Sequence, residues 1–340
     1  MSAIKTINPA LVERLLNNIG TDLITKLVQD HQTAGIARRF GGVKKTLDIL
    51  TFDNVKSLLR GWKKDGSALG EEFVYDKIRL SVGKFMMVLD VTPLEEQVDA
   101  FDSFLEGNGT IPNDLGNDKY GLDFMQWLIS QTIAFMDAEM EDADWQAIQV
   151  TSGVNAADDA AMKHKFDGFR RQAATLAAAG KGTVVTTGVI DSTNAMAKVE
   201  TFYRGFDKQL RRKGAIIFCS FNLFDDYKIN YRAANQGREL GTTRLEGTNY
   251  EAAPIYLGGG KTMLVPVQGI GEDDVLIGCQ PTDMAIGFDT LGDWNIQTRG
   301  FTVFAYFALK YGVTFLQQRP GYLVVNDRLI ATEITTPRVN

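Results

Sequence analysis

The sequence predicts an α+β protein, and three observations lead there. The first is one long helical pattern over Lys119–Ile148. The second is a pair of strand-like segments, Val43–Phe52 and Phe73–Val82, separated by a long polar excursion. The third is a helix–strand–helix unit from Asn194 to Asn235, followed by a C-terminal third that is mostly strand-like.

In the long helix, Leu122, Met125, Ile129, Ile133, Met136, Met140, Ala143 and Ala147 recur at steps of three or four. They share one stripe of a 3.6-residue period, with no proline to break it. At about 1.5 Å per residue the rod is roughly 42 Å long. A rod with one apolar stripe has to lie across something, and a sheet is the expected support. Asp137, Glu139, Glu141, Asp142 and Asp144 crowd its last two turns, where acids oppose the macrodipole. The expectation is a solvated face, or else contact with a basic partner from another subunit.

The remaining elements follow in order. Asn8 and Pro9 open a short helix that Gly20 stops, and Thr21 opens a second. Together they form a thin arm with little core of its own. Ala34–Gly42 is small, basic and glycine-rich, and reads as a junction. Phe73, Tyr75, Ile78, Leu80 and Val82 give the return strand its alternation. The intervening Asp53–Glu72 far exceeds the about 2–5 residues of an ordinary hairpin loop. A hairpin that projects to touch a neighbouring subunit fits it, with a loose surface excursion as the plain alternative. Lys84–Val91 reads as a buried strand, and Leu94–Leu105 as a short helix.

Beyond the long helix, Phe166–Ala179 is expected to be helical, Thr183–Val189 a strand, and Asp191-Ser192 a helix cap. Asn194–Lys213 reads as one helix, ending on Arg211, Arg212, Lys213 and Gly214. Ala215–Ser220 is a strand, and Asn222 caps the helix Leu223–Asn235. Ala253–Val267 reads as two strands around Gly258–Gly260, and Val275–Cys279 and Met284–Phe288 as two more. Phe301–Ala308 and Val313–Gln317 are expected to pair around Tyr311-Gly312, with Pro320–Val325 as the last strand. The final ~13 residues read as a loosely held polar tail.

Composition excludes several classes of function. The 340 residues carry 44% hydrophobic and 23% charged side chains, ordinary for a globular protein. A net charge of −6 gives no overall basic field for nucleic acid. Cys219 and Cys279 lie in apolar strand-like runs, so buried reduced thiols are expected. The first residues lack the apolar core of a signal peptide, and no run approaches ~18 consecutive apolar residues. The expected setting is a cytosol, for synthesis or for assembly.

Chemistry-bearing motifs are few. Gly258–Thr262 (GGGKT) has Ile255 where a phosphate-binding loop needs glycine, and MLVPV follows it in place of a helix. It reads as a hairpin turn. No dinucleotide fingerprint follows a strand. His31 and His164 lack partners at metal-ligand spacing. Asp225-Asp226 and Asp273-Asp274 are sequence neighbours, which do not face each other on a helix or strand. Lys208, Arg211, Arg212 and Lys213 suit a helix C-terminus, or a phosphate or acidic partner. No catalytic, cofactor-binding or metal-ligating residue is assigned.

Element order carries a resemblance. Gly61–Pro93 (GWKKDGSALGEEFVYDKIRLSVGKFMMVLDVTP), Glu139–Ile148 (EMEDADWQAI), Lys213–Ser220 (KGAIIFCS) with NLFDDYKINYR, and the closing FTVFAYFALKYGVTFLQQRPGYLVVND carry it locally. Arm, long two-stranded excursion, very long helix, α/β lobe and closing strands together resemble the HK97-type major capsid proteins of tailed phages. The resemblance implies a division of the chain. Residues 1–42 would be an N-terminal arm, and 43–91 an extended-loop hairpin. Residues 92–150 with 301–330 would be a peripheral domain carrying the spine helix 119–148. Residues 151–300 would be an axial domain, and 331–340 a C-terminal tail.

It further implies a structural subunit, not an enzyme, that assembles into hexamers and pentamers of an icosahedral head. Its partners would be copies of itself, with scaffold, portal and decoration proteins. The head would enclose double-stranded DNA without sequence specificity. The implied location is the virion, assembled in host cytoplasm, with no membrane and no cofactor. Candidate inter-subunit contacts are Trp62, Lys63, Lys64, Phe73, Tyr75, Arg38, Arg39, Arg211 and Arg212. The covalent Lys–Asn cross-link of some family members does not align to any residue here. A cellular encapsulin shell, with the same fold, and a soluble α/β enzyme are the alternatives.

Overall fold

The structure, a computed structural model, describes residues 32–53, 74–91, 135–149, 165–245, 250–255, 261–290, 295–299 and 302–335. The first elements are helix α1 (Gln32–Ile36) and strands β1 (Arg38–Gly41), β2 (Thr46–Asp53), β3 (Val74–Ser81) and β4 (Gly83–Val91). Helix α2 covers 135–146. Then come α3 (Phe169–Ala178), β5 (Thr183–Val185), α4 (Ala195–Arg204), α5 (Lys208–Lys213), β6 (Ile216–Cys219) and α6 (Phe221–Ala234). Strands β7 (Thr243–Arg244), β8 (Glu251–Pro254), β9 (Met263–Pro266), β10 (Leu276–Cys279) and β11 (Met284–Thr290) follow. The chain closes with β12 (Asn295–Arg299), β13 (Thr302–Phe315), β14 (Val324–Asn326) and α7 (Asp327–Ile330). The two short N-terminal helices, the helix at 94–105, the 119–134 part of the long helix and both histidines lie outside the described residues.

The first sheet is built on β13. Strand β4 runs antiparallel along one of its edges, from Val303 opposite Val91 to Tyr311 opposite Gly83. Strands β12 and β11 follow each other along the other edge, and β1 adds in parallel to β11. The expected break at Tyr311-Gly312 is absent, because β13 is one strand. Gly312 pairs with Gly287, and a Cβ on Gly312 would stand 2.2 Å from the Ser81 carbonyl oxygen. Glycine serves close approach of β3 here, not a turn. The expected junction at 34–42 is likewise corrected: it holds the end of α1 and all of β1.

The second sheet has the order β5-β14-β10-β6-β9-β8-β7. Its central strand β6 is buried throughout, and alternate residues serve two cores. Ile217 and Cys219 join Phe202, Phe206, Leu223, Phe224 and Tyr227 under α4 and α6. Ile216 and Phe218 face Trp145 of α2 and Phe169 of α3. Trp145 lies 5.0 Å from Phe218 and 5.4 Å from Phe169, whose ring is 5.1 Å from Phe315. The described end of the long helix, α2, therefore packs on this sheet and ties it to the end of β13.

Three further expectations are corrected. The helix predicted over 194–213 divides into α4 and α5. A Cβ on Gly205 would meet Val185 at 2.5 Å, and Asp207 restarts the helix by accepting from the Gln209 N–H at 2.7 Å. Ser220, not Asn222, caps α6, accepting from the Leu223 N–H at 3.2 Å. The described part of the C-terminal tail is held: α7 continues helically through Ala331–Thr335, and Leu329 and Glu333 are buried. Glu333 Oε1 lies 3.0 Å from Nε of the buried Arg170. The cap expected at Asp191-Ser192 is displaced: Asn194 is the N-cap of α4, and Asp191 accepts from the Thr193 and Asn194 N–H groups in the turn before it. Both cysteines are free and buried.

Candidate assembly surfaces

Strands β2 and β3 form a two-stranded hairpin of eight residue pairs, from Thr46 opposite Ser81 to Asp53 opposite Val74. Cross-strand partners share a face. Leu47 with Leu80 and Ile49 with Ile78 make the apolar one, and Ile78 and Leu80 are buried. The other face carries Asp48, whose carboxylate lies 2.6 Å from Lys77 and 3.2 Å from Arg79. Hydrogen bonds from Lys77 and then Arg79 hold the exposed Asp48 carboxyl below the usual range. Leu50 on that face is 69% exposed. The root is fixed: the Leu80 side chain fills the space over Gly287, and Ser81 lies on Gly312.

Of the predicted contact residues, Trp62, Lys63, Lys64 and Phe73 lie outside the described residues. Tyr75 sits in β3, opposite Phe52. Arg38 and Arg39 are exposed on β1, and Arg39 Nε donates to the Ala34 carbonyl at 3.0 Å. Arg211 stacks 5.9 Å above the Tyr203 ring, and Arg212 is exposed. The structure brings β1 and α5 to one neighbourhood around buried Asp283. Burial pushes the Asp283 carboxyl up to about 6, against the opposing pull of Arg38, Arg319 and Lys213. Charge pairing thus offsets only part of the desolvation.

Sequence reasoning missed a buried polar cluster on α2. Glu141 and Asp144 are buried, contrary to the solvated acidic face expected for this helix end. Glu141 accepts from the Thr33 N–H at 2.9 Å, from the Thr33 hydroxyl at 2.6 Å, and from the Tyr250 hydroxyl. Trp145 Nε1 donates to Thr33 Oγ1 at 2.8 Å, and the Tyr311 hydroxyl bonds Asp144. Burial and then Asp144 raise the Glu141 carboxyl, while Thr33 and Tyr250 pull it down. A signal was present: at roughly 100° per residue, Asp144 falls about 40° from Met140, at the edge of the apolar stripe.

These surfaces have little of the character of a reactive pocket. Among the described residues no group of three His, Cys, Asp or Glu is arranged to hold a metal ion. Burial pushes both cysteine thiols well above their ordinary range, which makes them inert packing. The residue after GGGK, Thr262, leads into strand β9, as a hairpin requires. No described helix is long and apolar enough to cross a membrane.

A chain from the satellite phage P4 procapsid including size determination (Sid) protein superposes with a TM-score of 0.58, covering 91% of this chain and 90% of that one at 8% identity. The fold is the HK97-like capsid fold. Chains from the capsid of a native GTA particle (TM-score 0.47, 13% identity, 87% and 89% covered) and from the Myoviridae phage XM1 capsid (0.46, 9%, 84% and 86%) are also similar. No family model and no curated protein matches. The α+β class and the capsid fold expected from element order therefore hold.

Proposed function

We propose that this chain is a structural subunit that tiles with copies of itself into a phage head. The observation that carries the reading is the procapsid fold over 91% of the chain, with a two-stranded hairpin stem rooted on the first sheet. In this reading residues 1–42 are an arm, 43–91 the extended hairpin, and 92–150 with 301–330 a peripheral domain. Residues 151–300 are an axial domain, and 331–340 a tail. A closed shell needs one chain to present two complementary faces, so that rotation-related copies form rings. Hexamers and pentamers are those rings, and the virion is their location after assembly in host cytoplasm. Double-stranded DNA is enclosed without sequence readout. Portal, scaffold and decoration proteins are the expected partners, and no catalytic step is assigned.

Expression of the full chain followed by electron microscopy tests this. Rings or hollow particles of uniform size are expected; a monodisperse globular monomer refutes it. Deleting Gly61–Gly70 is expected to leave a folded, soluble subunit without shells. Normal shells from that deletion would remove the hairpin tip from the assembly surface.

A further inference from the structure

The second sheet separates two ends of unlike charge. Strand β6 starts at Ile216, directly after α5, and beside the start of β9 at Met263. Lys208, Arg212, Lys213 and Lys261 are exposed there, and Arg211 is half-buried. Lys261 Nζ lies 3.5 Å from the Arg212 carbonyl, and the Lys261 carbonyl abuts Gly214. Among the described residues, none of these five cations forms an ion pair with a carboxylate.

The far end of β6 is acidic. Cys219 lies opposite Leu276, so Asp274 sits just beyond the strand, beside the first turns of α6. Asp191, Asp225, Asp226 and Asp274 gather here: burial first, then the charges of Asp274, Asp191 and Asp225, push the Asp226 carboxyl up. Glu272 is exposed in the loop that carries Asp274. Lys198 acts on Asp191, and Arg170 pairs with Asp273 of the same loop at 2.8 Å. Two large apolar side chains stand in water at this end. Phe221, one turn before Asp225 on the same helix face, is 51% exposed. Val189 is 59% exposed, and the N–H of the next residue, Ile190, donates to Asp274 at 3.4 Å.

We infer that these two ends dock on each other between copies: the basic end of one copy, formed by α5 and Lys261, seats on the acidic, Phe221-bearing end of the next. The inference rests on the subunit reading and names the contact within it. Complementary patches at opposite ends of one lobe are what a heterologous, ring-closing contact requires. Within a single copy the carboxylates repel one another, and among the described residues no cation cluster relieves them. In a docked pair the basic end supplies it, while Phe221 and Val189 leave water. The charges fix register and exclude head-to-head encounters; the apolar pair supplies burial.

Charge reversal tests the pairing in the full chain. Asp225→Lys with Glu272→Lys alters one end, and Arg212→Glu with Lys213→Glu alters the other. All four residues are exposed, so folding, followed by circular dichroism, is expected to persist. Each reversed pair is expected to lower the sedimenting shell fraction by at least about tenfold, because like charges then meet across the contact. All four changes together are expected to restore it. Should a reversed chain fail to fold, Asp225→Asn with Glu272→Gln and Arg212→Gln with Lys213→Gln replace it, with a loss of about threefold expected for each. Reversed or neutral chains that assemble like wild type overturn the contact, as does a fourfold variant no better than either pair. A wild type that assembles while the variants are indifferent refutes this contact alone. A wild type that stays monomeric refutes the subunit reading and the contact with it.

Discussion

Replacing Glu141 separates two effects that oppose each other inside one cluster. The carboxylate is buried, which is unfavourable, yet it is the acceptor for the Thr33 N–H, the Thr33 hydroxyl and the Tyr250 hydroxyl. In Glu141→Ala the two hydroxyls can rotate towards other acceptors, whereas the Thr33 backbone N–H cannot. One buried unsatisfied donor costs about 1–3 kcal/mol, and the lost side-chain methylene adds about 0.8 kcal/mol. Loss of about 2–4 kcal/mol is expected, since the hydrogen bonds to a charged acceptor outweigh the relief of its desolvation.

Glu141→Gln fits the same accounting differently. Its amide oxygen can face the Thr33 N–H, and its NH₂ can face two hydroxyl oxygens that turn to accept. Thr33 Oγ1 already accepts from Trp145 at 2.8 Å and has a second lone pair. Stability within about 1 kcal/mol of wild type at pH 7 is expected. The sign of the pH dependence follows from the raised carboxyl. Folding favours the protonated acid, so its contribution is full below the ordinary carboxylate range. It declines as pH rises through that range towards the folded value. Wild type is therefore expected to gain on the Gln variant as pH falls from neutral. Urea unfolding of unassembled subunits at several pH values measures both. An Ala variant within about 0.5 kcal/mol of wild type, or a Gln variant as weak as Ala, would refute the donor accounting.

Two further substitutions test other parts of the fold. Asp283 titrates at about 6 in the folded chain against an ordinary 3.8, so its contribution is full below that ordinary value and lost as pH rises to about 6. Asp283→Asn imitates the protonated acid, and its advantage over wild type is expected to open by about 2.4 kcal/mol between pH 4 and 7; a constant difference sinks the assignment. Gly312→Ala would drive a Cβ to 2.2 Å from the Ser81 carbonyl oxygen and is expected to cost about 2–3 kcal/mol in thermal unfolding. Gly241→Ala, with no heavy atom within 4 Å of the added Cβ, is the matched control, and equal losses would remove the close-approach argument.

Periodicity located the elements whose environment is uniform along their length. Alternation placed β3 within one residue at each end, and the stripe of Met140, Ala143 and Ala147 marked the buried side of α2. It failed where a residue answers to a distant neighbour. Gly312 looks like a turn until β3 is seen to cross it, and Gly205 looks helical until Val185 is seen against it. Glu333 looks like polar tail, yet with Asp273 it pairs with the buried Arg170 of α3. The acids of α2 were read as solvent-facing because two of their partners, Thr33 and Tyr250, are 108 and 109 residues away. The proposed contact residues leave the weakest trace, since a surface meant for another copy would be patterned by that copy's charges.

The buried polar residues and the paired glycines do related work at two separate places. Thr33 is held by Glu141 and Trp145 in the helix just ahead of β1, which joins the first sheet. Gly287 and Gly312 fix the root of the β2–β3 hairpin, and the Val82 N–H bonded to the Lys45 carbonyl at 3.2 Å closes its base. Ordering a free segment costs roughly 1–2 kcal/mol per residue, and an anchored root removes part of that cost before a neighbour is met. An elongated hairpin with a rigid base can therefore reach a second copy through modest contacts, and many modest contacts suit a closed shell better than one tight one.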